Sequence, residues 1–234
     1  MKKSIQLFIC SAFFLTTLAN AQWSSKDRIK GNGHVITEVR KTTDYEDIKV
    51  GGFFDVDLVS GKEGKITLKG EENLLSKVKV EVEDNSLKIY IEKGTQIRTS
   101  AGHKIEITVP FEKISELSLA GSGDIQSKDV IKSDNFSIKL AGSGNFNLPV
   151  DANNLELNVS GSGNIHLKGT TDKFTTKLSG SGGIDPLINN DTNYIVINYN
   201  NGNKYYIKTP SNGQGLAFIS ANGIANIFDI NDHY

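Results

Sequence analysis

The sequence predicts an all-β fold built as a stacked β-solenoid. Three observations carry that prediction. A Gly-Ser-Gly turn recurs four times at nearly equal spacing, alternating apolar and polar residues precede each later copy, and one apolar position returns just after every turn. Equal spacing with equal corner chemistry is what stacked repeats require. A β-sandwich and a meander barrel also use short alternating strands, but neither needs that equality.

The chain begins Met1-Lys2-Lys3, runs apolar from Ile5 to Leu18 and continues Ala19-Asn20-Ala21-Gln22. A basic start, a short apolar stretch and a small-x-small site predict a signal peptide over residues 1–21. The apolar stretch is shorter than the roughly 20 residues of a membrane-spanning helix. Cys10 follows Phe8-Ile9, too early for a lipid-anchored cleavage site. Cleavage removes the only Cys and the only Met, so the mature chain offers no disulfide, no thiol nucleophile and no Cys-ligated metal. Residues 22–39 read as a linker or first strand.

The full chain has 26 basic and 27 acidic residues, and losing Lys2 and Lys3 leaves 24 against 27, or −3. That balance provides no clustered basic surface for nucleic acid.

From about residue 30 to 110 the pattern is β-like without the Gly-Ser-Gly period. Asp47-Ile-Lys-Val50, Phe54-Asp-Val-Asp-Leu58 and Lys65-Ile-Thr-Leu68 alternate. Lys77 to Val82 and Leu87 to Ile91 flank Glu83-Asp84-Asn85-Ser86, a hairpin signal. Glu71 to Leu75 reads as one helical turn, and Lys104 to Val109 as a strand stopped by Pro110. This half is expected to supply earlier coils or a β cap, with Gly31-Asn32-Gly33 as an isolated first corner.

The repeat itself occupies about residues 114–228. Its corners are Gly121-Ser122-Gly123, Gly142-Ser143-Gly144, Gly161-Ser162-Gly163 and Gly180-Ser181-Gly182, at spacings of 21, 19 and 19. Phe136, Ile138 and Leu140 alternate with polar residues, as do Leu155, Leu157 and Val159. Ile125, Phe146, Ile165 and Ile184 then turn inward at a common offset. A worn continuation is expected at Asn201-Gly202-Asn203, with Tyr205 in the Ile slot, and another at Asn222-Gly223. Asn stands for Gly there because it tolerates left-handed backbone angles.

These residues resemble the head GIN domain family, exported β-rich proteins of the Bacteroidetes called autotransporter adhesins. The resemblance rests on Phe53-Phe54-Asp55-Val56, Gly70-Glu71-Glu72-Asn73-Leu74-Leu75, Asn85-Ser86-Leu87-Lys88-Ile89 and the repeated Gly-Ser-Gly-[Asp/Asn]-Ile. It covers residues 40–228 and departs after Gly183, where the corners become Asn-rich. It implies a right-handed parallel, pectin-lyase-like β-helix with an N-terminal β cap region, a cell-envelope location and a role in adhesion. It supplies no catalytic residues. No stretch after the repeats has the length of an autotransporter barrel.

Catalytic constellations fare poorly. Asp124 heads a post-corner row that continues Asn145, Asn164 and Gly183, so a carboxylate decays to amide and glycine. Asp55 and Asp57 lie on one strand face and read as its solvated side. His34, His103, His166 and His233 lack metal-ligand spacing. The corners resemble phosphate loops, but a strand follows each one instead of a helix. No cofactor and no metal are expected.

Candidate contact residues are Asp124, Asn145 and Asn164, with Tyr194 and Tyr206 from the one aromatic cluster. Stacking alone accounts for the corner serines and glycines, with hydroxyls and amides satisfying turn backbone. The first functional reading is a non-catalytic exported envelope protein, periplasmic, surface-bound or secreted, that binds a glycan or a cell-surface protein. A polysaccharide-active enzyme and a periplasmic scaffold are the alternatives.

Overall fold

The computed structural model describes residues 28–190, 195–199, 204–208, 216–220 and 225–228, with side chains for residues 28–184. The expected signal peptide and Cys10 lie outside the described residues. No helix among the described residues is long and apolar enough to cross a membrane.

Nineteen strands form among the described residues. Of these, β1 (Ile29–Lys30) and β8 (Ile97–Arg98) make a small parallel pair, and the other 17 join one sheet around a single apolar core. The parallel part of that sheet follows the repeat. Strands β10 (Glu116–Gly121), β12 (Ile131–Gly142), β13 (Asn145–Gly161) and β14 (Asn164–Gly180) pair with Leu119 on Leu140, Leu140 on Val159 and Val159 on Leu178. Those offsets equal the spacing of the glycine corners. β15 (Gly183–Asn190) continues the stack, with Ile184 on Ile165. The alternation puts Leu117, Ile138 and Leu157 in one buried column and Ile125, Phe146 and Ile165 in another. Truncating such a side chain, Phe146→Ala for example, costs about 3–5 kcal/mol.

The expected right-handed parallel β-helix with an N-terminal cap is corrected by this structure. Two findings overturn it. First, the layers are not stacked in chain order. β3 (Asp47–Gly52) lies between β7 (Ser86–Ile91) and β10, pairing Asp47 with Ser86 on one side and with Glu116 on the other. In the same way β4 (Asp55–Ser60) lies between β9 (Glu106–Phe111) and β11 (Asp124–Ser127). Second, much of the pairing is antiparallel. β2 (Val35–Lys41) pairs with β5 (Lys65–Glu71), β5 with β9, and β6 (Val78–Glu83) with β7. The result is a mixed sheet that curves into a nearly closed, barrel-like wall.

Connection length explains the difference. A parallel partner needs a long return path, whereas a two-residue turn only reverses the chain. Asp84 (φ 50°) and Asn85 (φ 57°) make such a turn between β6 and β7. The sequence signal for this hairpin is borne out, as is the helical turn, α1 (Glu72–Leu75).

The C-terminal expectation is also corrected. β16 (Ile195–Tyr199) still lies parallel on β14, with Tyr199 against Leu178. β17 (Lys204–Lys208) then turns back antiparallel, setting Tyr205 against Ile197 and not in the Ile column. β18 (Leu216–Ser220) and β19 (Ala225–Phe228) continue the meander. An Asn-Gly pair between alternating strands is a hairpin signal before it is a worn corner. The two Asn-rich segments, 201–203 and 222–223, lie outside the described residues.

Gly31-Asn32-Gly33 is not a stacked corner either. It wraps the carboxylate of Glu71, which accepts the Gly33 N–H at 2.7 Å. Glycine is needed at 31 because a Cβ there would stand 2.1 Å from Glu71 Oε2. Arg40 helps close the same end of the wall, donating from its guanidinium to the carbonyls of Leu75 and Val78.

Candidate functional site

The four Gly-Ser-Gly corners form one row. The peptide N–H of Ser122, Ser143, Ser162 and Ser181 donates to the carbonyl of Gly52, Gly121, Gly142 and Gly161 at 2.9–3.0 Å. The first of these contacts reveals a corner absent from the sequence reading. Gly52 pairs with Gly121 and Asp55 with Asp124, so Gly52-Phe53-Phe54 is a further corner with Phe in place of Ser and Gly. The serine hydroxyls were expected to satisfy turn backbone. Instead they point outward, and among the described residues they make no hydrogen bond.

The column beside the corners is connected by side chains. Asn145 Nδ2 donates to Asp124 Oδ1 at 2.8 Å, and Asn164 donates to Asn145 Oδ1 from its N–H at 3.1 Å and from Nδ2 at 3.2 Å. The Gly183 N–H closes the column on Asn164 Oδ1 at 3.2 Å. Asp124, Asn145 and Asn164 are thus brought together as anticipated, and their polar groups largely bind one another. Asp55 is held by Lys104 Nζ at 2.6 Å and Asp57 by Gln126 Nε2 at 2.6 Å. Tyr194 lies outside the described residues, and for Tyr206 only the backbone, in β17, is described.

A recess lies at the opposite edge, where β12, β13 and β14 bend. Two grooves of about 550 and 690 Å³ meet at Ser115 and Asn135. Each bend carries a polar pair, Asp134-Asn135, Asn153-Asn154 and Asp172-Lys173. Asn154 Nδ2 donates to Asn135 Oδ1 at 3.0 Å and Asn153 Nδ2 to Asp134 Oδ1 at 3.0 Å. Further along the wall Lys177 pairs with Glu156 at 3.2 Å and Lys139 pairs with Glu116. Asn158 and Lys177 hold the Glu156 carboxyl below its usual range. The sequence reading missed this groove. Its signal was the break in alternation just before Phe136, Leu155 and Phe174, repeated in each of three successive layers.

One buried carboxylate needs a separate account. Glu71 is fully buried, accepting Ser100 Oγ at 2.6 Å and the Ser100 N–H at 2.9 Å as well as Gly33. His103 Nδ1 lies 2.9 Å from the same hydroxyl. Burial pushes the Glu71 carboxyl up, but the Ser100 and Gly33 donors and nearby His103 outweigh it and leave its pKa lowered. A carboxylate so well solvated by the fold is a weak base. The cluster clamps the N-terminal segment to the loop around Ser100. No group of three His, Cys, Asp or Glu among the described residues is placed to hold a metal ion.

A packed interior, an outward polar column and an open polar groove define a β protein whose chemistry lies on its surface. The sequence profile of the family described as "Putative auto-transporter adhesin, head GIN domain" matches residues 44–209, and the chain belongs to that family. The fold is similar to a "putative adhesin" from Bacteroides fragilis, at 22% identity and TM-score 0.64, over 73% of this chain and 78% of that one. It is also similar to a "putative lipid binding protein" from Parabacteroides distasonis, at 26% identity and TM-score 0.60, over 74% and 81%. A "putative adhesin" from the same species matches at 25% identity and TM-score 0.61, over 68% of each chain. No curated protein matches.

Proposed function

We propose that the chain is an exported, non-catalytic cell-envelope protein that binds a glycan or a surface protein through its polar wall. The observation that carries this reading is the continuous groove at the bends of β12 to β14, lined by side chains that donate and accept hydrogen bonds. Family membership supports it, as do relatives described as adhesins. The column Asp124, Asn145 and Asn164 is a second proposed contact surface, and Tyr194 and Tyr206 are further proposed contact residues.

The lipid-binding description of one relative is not extended to this chain. The interior is filled by apolar side chains and the groove walls are polar, which suits hydroxyl-rich ligands better than acyl chains.

The test is adhesion of intact cells to glycan-coated and protein-coated surfaces, with antibody labelling of the chain on unpermeabilised cells. Wild type should label and adhere. Asn135→Trp, which fills the groove, should label equally and adhere several-fold less. Wild-type cells that label but show no adhesion beyond a deletion strain would refute the reading.

A further inference from the structure

We infer that the outer edge of β2 docks a second copy of this chain, β2 antiparallel on β2 with Val39 facing Val39, so that two walls join in one continuous sheet.

The first argument is an open row of peptide groups. On one side β2 pairs with β5, in a ladder that runs from the Glu72 N–H on the His34 carbonyl to the Thr42 N–H on the Gly64 carbonyl. Both bonds fall on even-numbered residues of this segment. Alternate residues of an antiparallel strand turn their peptide groups to the same side. Those of Val35, Thr37, Val39 and Lys41 therefore point away from β5, and among the described residues no strand takes them.

The second argument is that this edge lacks a guard. Among the described residues β6 pairs only with β7, so it is an edge too. Its outer face carries Lys79, Glu81 and Glu83, and Arg40 donates to its Val78 carbonyl. Charges and covering groups of this kind block the addition of a strand. β2 presents Val35, Thr37 and Val39 before its one outward charge, Lys41. Val35 is 40% and Val39 57% exposed, and a pairing strand would cover both.

Charge complementarity selects the occupant and the register. Centred on Glu38, self-pairing would set that carboxylate against its own copy. Centred on Thr37, it would set Arg40 against His34. Centred on Val39, it sets Glu38 against Arg40 of the second copy, twice, and opposes no like charges. Glu38 and Arg40 already bond each other within the chain, so the two copies together build an alternating cluster of four charges. Opposite charges across a strand pair stabilise it and like charges destabilise it. In this register residues 37, 39 and 41 meet 41, 39 and 37, exchanging about six peptide hydrogen bonds.

The experiment is sedimentation of the purified chain from residue 22 over a range of concentrations. Wild type should form a dimer that dissociates on dilution. Thr37→Pro removes an outward N–H and leaves the bonds to β5 in place, and Val39→Lys sets two ammonium groups face to face. Each should raise the dimer dissociation constant at least about 10-fold with an unchanged circular dichroism spectrum. Ser143→Ala, on the corner row, should dimerise as wild type. Residues from 22 onward contain no Cys, so single cysteines read the register. Val39→Cys should oxidise to a linked dimer, because its opposed Cα atoms would lie about 5.5 Å apart. Thr37→Cys alone should not link, whereas a mixture of Thr37→Cys and Lys41→Cys chains should.

A monomer at every concentration would overturn the inference. So would a dimer unaffected by Thr37→Pro and Val39→Lys, or linkage of Thr37→Cys alone. A monomer that dimerises only once residues 22–27 are removed would assign the edge to the chain's own N-terminal segment. A monomer that binds a synthetic alternating Thr-Val peptide, and loses it in Thr37→Pro, would assign the edge to a foreign strand. Either result would overturn the second copy as occupant.

Discussion

Gly142 lies so close to Gly121 that a Cβ on Gly142 would stand 2.1 Å from the Gly121 carbonyl oxygen. Its φ of 136° is also one that side-chain-bearing residues rarely adopt. The same contact recurs at Gly161 over Gly142 and at Gly180 over Gly161. Gly142→Ala should therefore cost about 3 kcal/mol or more, because the clash is with backbone in a paired layer. Ser143→Ala, one residue on and exposed, should stay within about 0.5 kcal/mol of wild type. Denaturant unfolding of the two variants measures the contrast, and similar midpoints would contradict it.

Thr176 occupies a core column directly against Leu157, yet its hydroxyl has no hydrogen-bond partner among the described residues. A buried orphan hydroxyl costs about 1–3 kcal/mol. Thr176→Val keeps the shape and removes the polar atom, so it should stabilise by about 1 kcal/mol and raise the melting temperature by about 2–4 °C. Calorimetry decides the sign, and a lower melting temperature would show that the hydroxyl is engaged in the folded state.

Glu71→Gln should destabilise by roughly 2 kcal/mol at neutral pH, since three donors then meet an amide instead of a carboxylate. The pH dependence follows from the lowered pKa. The stabilisation from Glu71 is fully present above the unfolded-state value of about 4.3 and is lost as pH falls through the folded value. Wild type and Glu71→Gln should hence converge in stability as the solution is acidified below pH 4. Parallel thermal melts at pH 7 and pH 3.5 test this, and a gap that persists unchanged would place the effect in packing.

Asn145 takes the Asp124 carboxylate from one side and offers Oδ1 to Asn164 on the other. Asn145→Asp replaces the donor to Asp124 with a like charge directly opposite. It should cost about 1 kcal/mol at low salt and less at high salt, where the like charges are screened. Asn145→Ala, which loses the column without adding charge, should show no such salt dependence. Unfolding free energies at low and high salt separate the variants.

The residues that form this column and its corners are readable in the sequence. Asp124, Asn145 and Asn164 share an offset from Gly121, Gly142 and Gly161, and offset alone places them in line. The groove was less readable. Its residues interrupt the alternation that marks the strands, and a bend within a continuous strand has no glycine to announce it. Glu71 was legible only as part of a helical turn, because its partners Gly33 and Ser100 lie 38 and 29 residues away.

The sequence by itself determined the spacing of the corners and the parallel register of β10, β12, β13 and β14. A missing Cβ is a property of each glycine, and a near-constant period returns the chain to its own neighbour. Only the tertiary structure decided the order of the layers. β3 separates β7 from β10, and antiparallel strands close the wall into a mixed, barrel-like sheet. That choice depends on which distant strand edges meet. Asp47 finds Ser86 on one side and Glu116 on the other, and two such unequal separations along the chain leave no period to read.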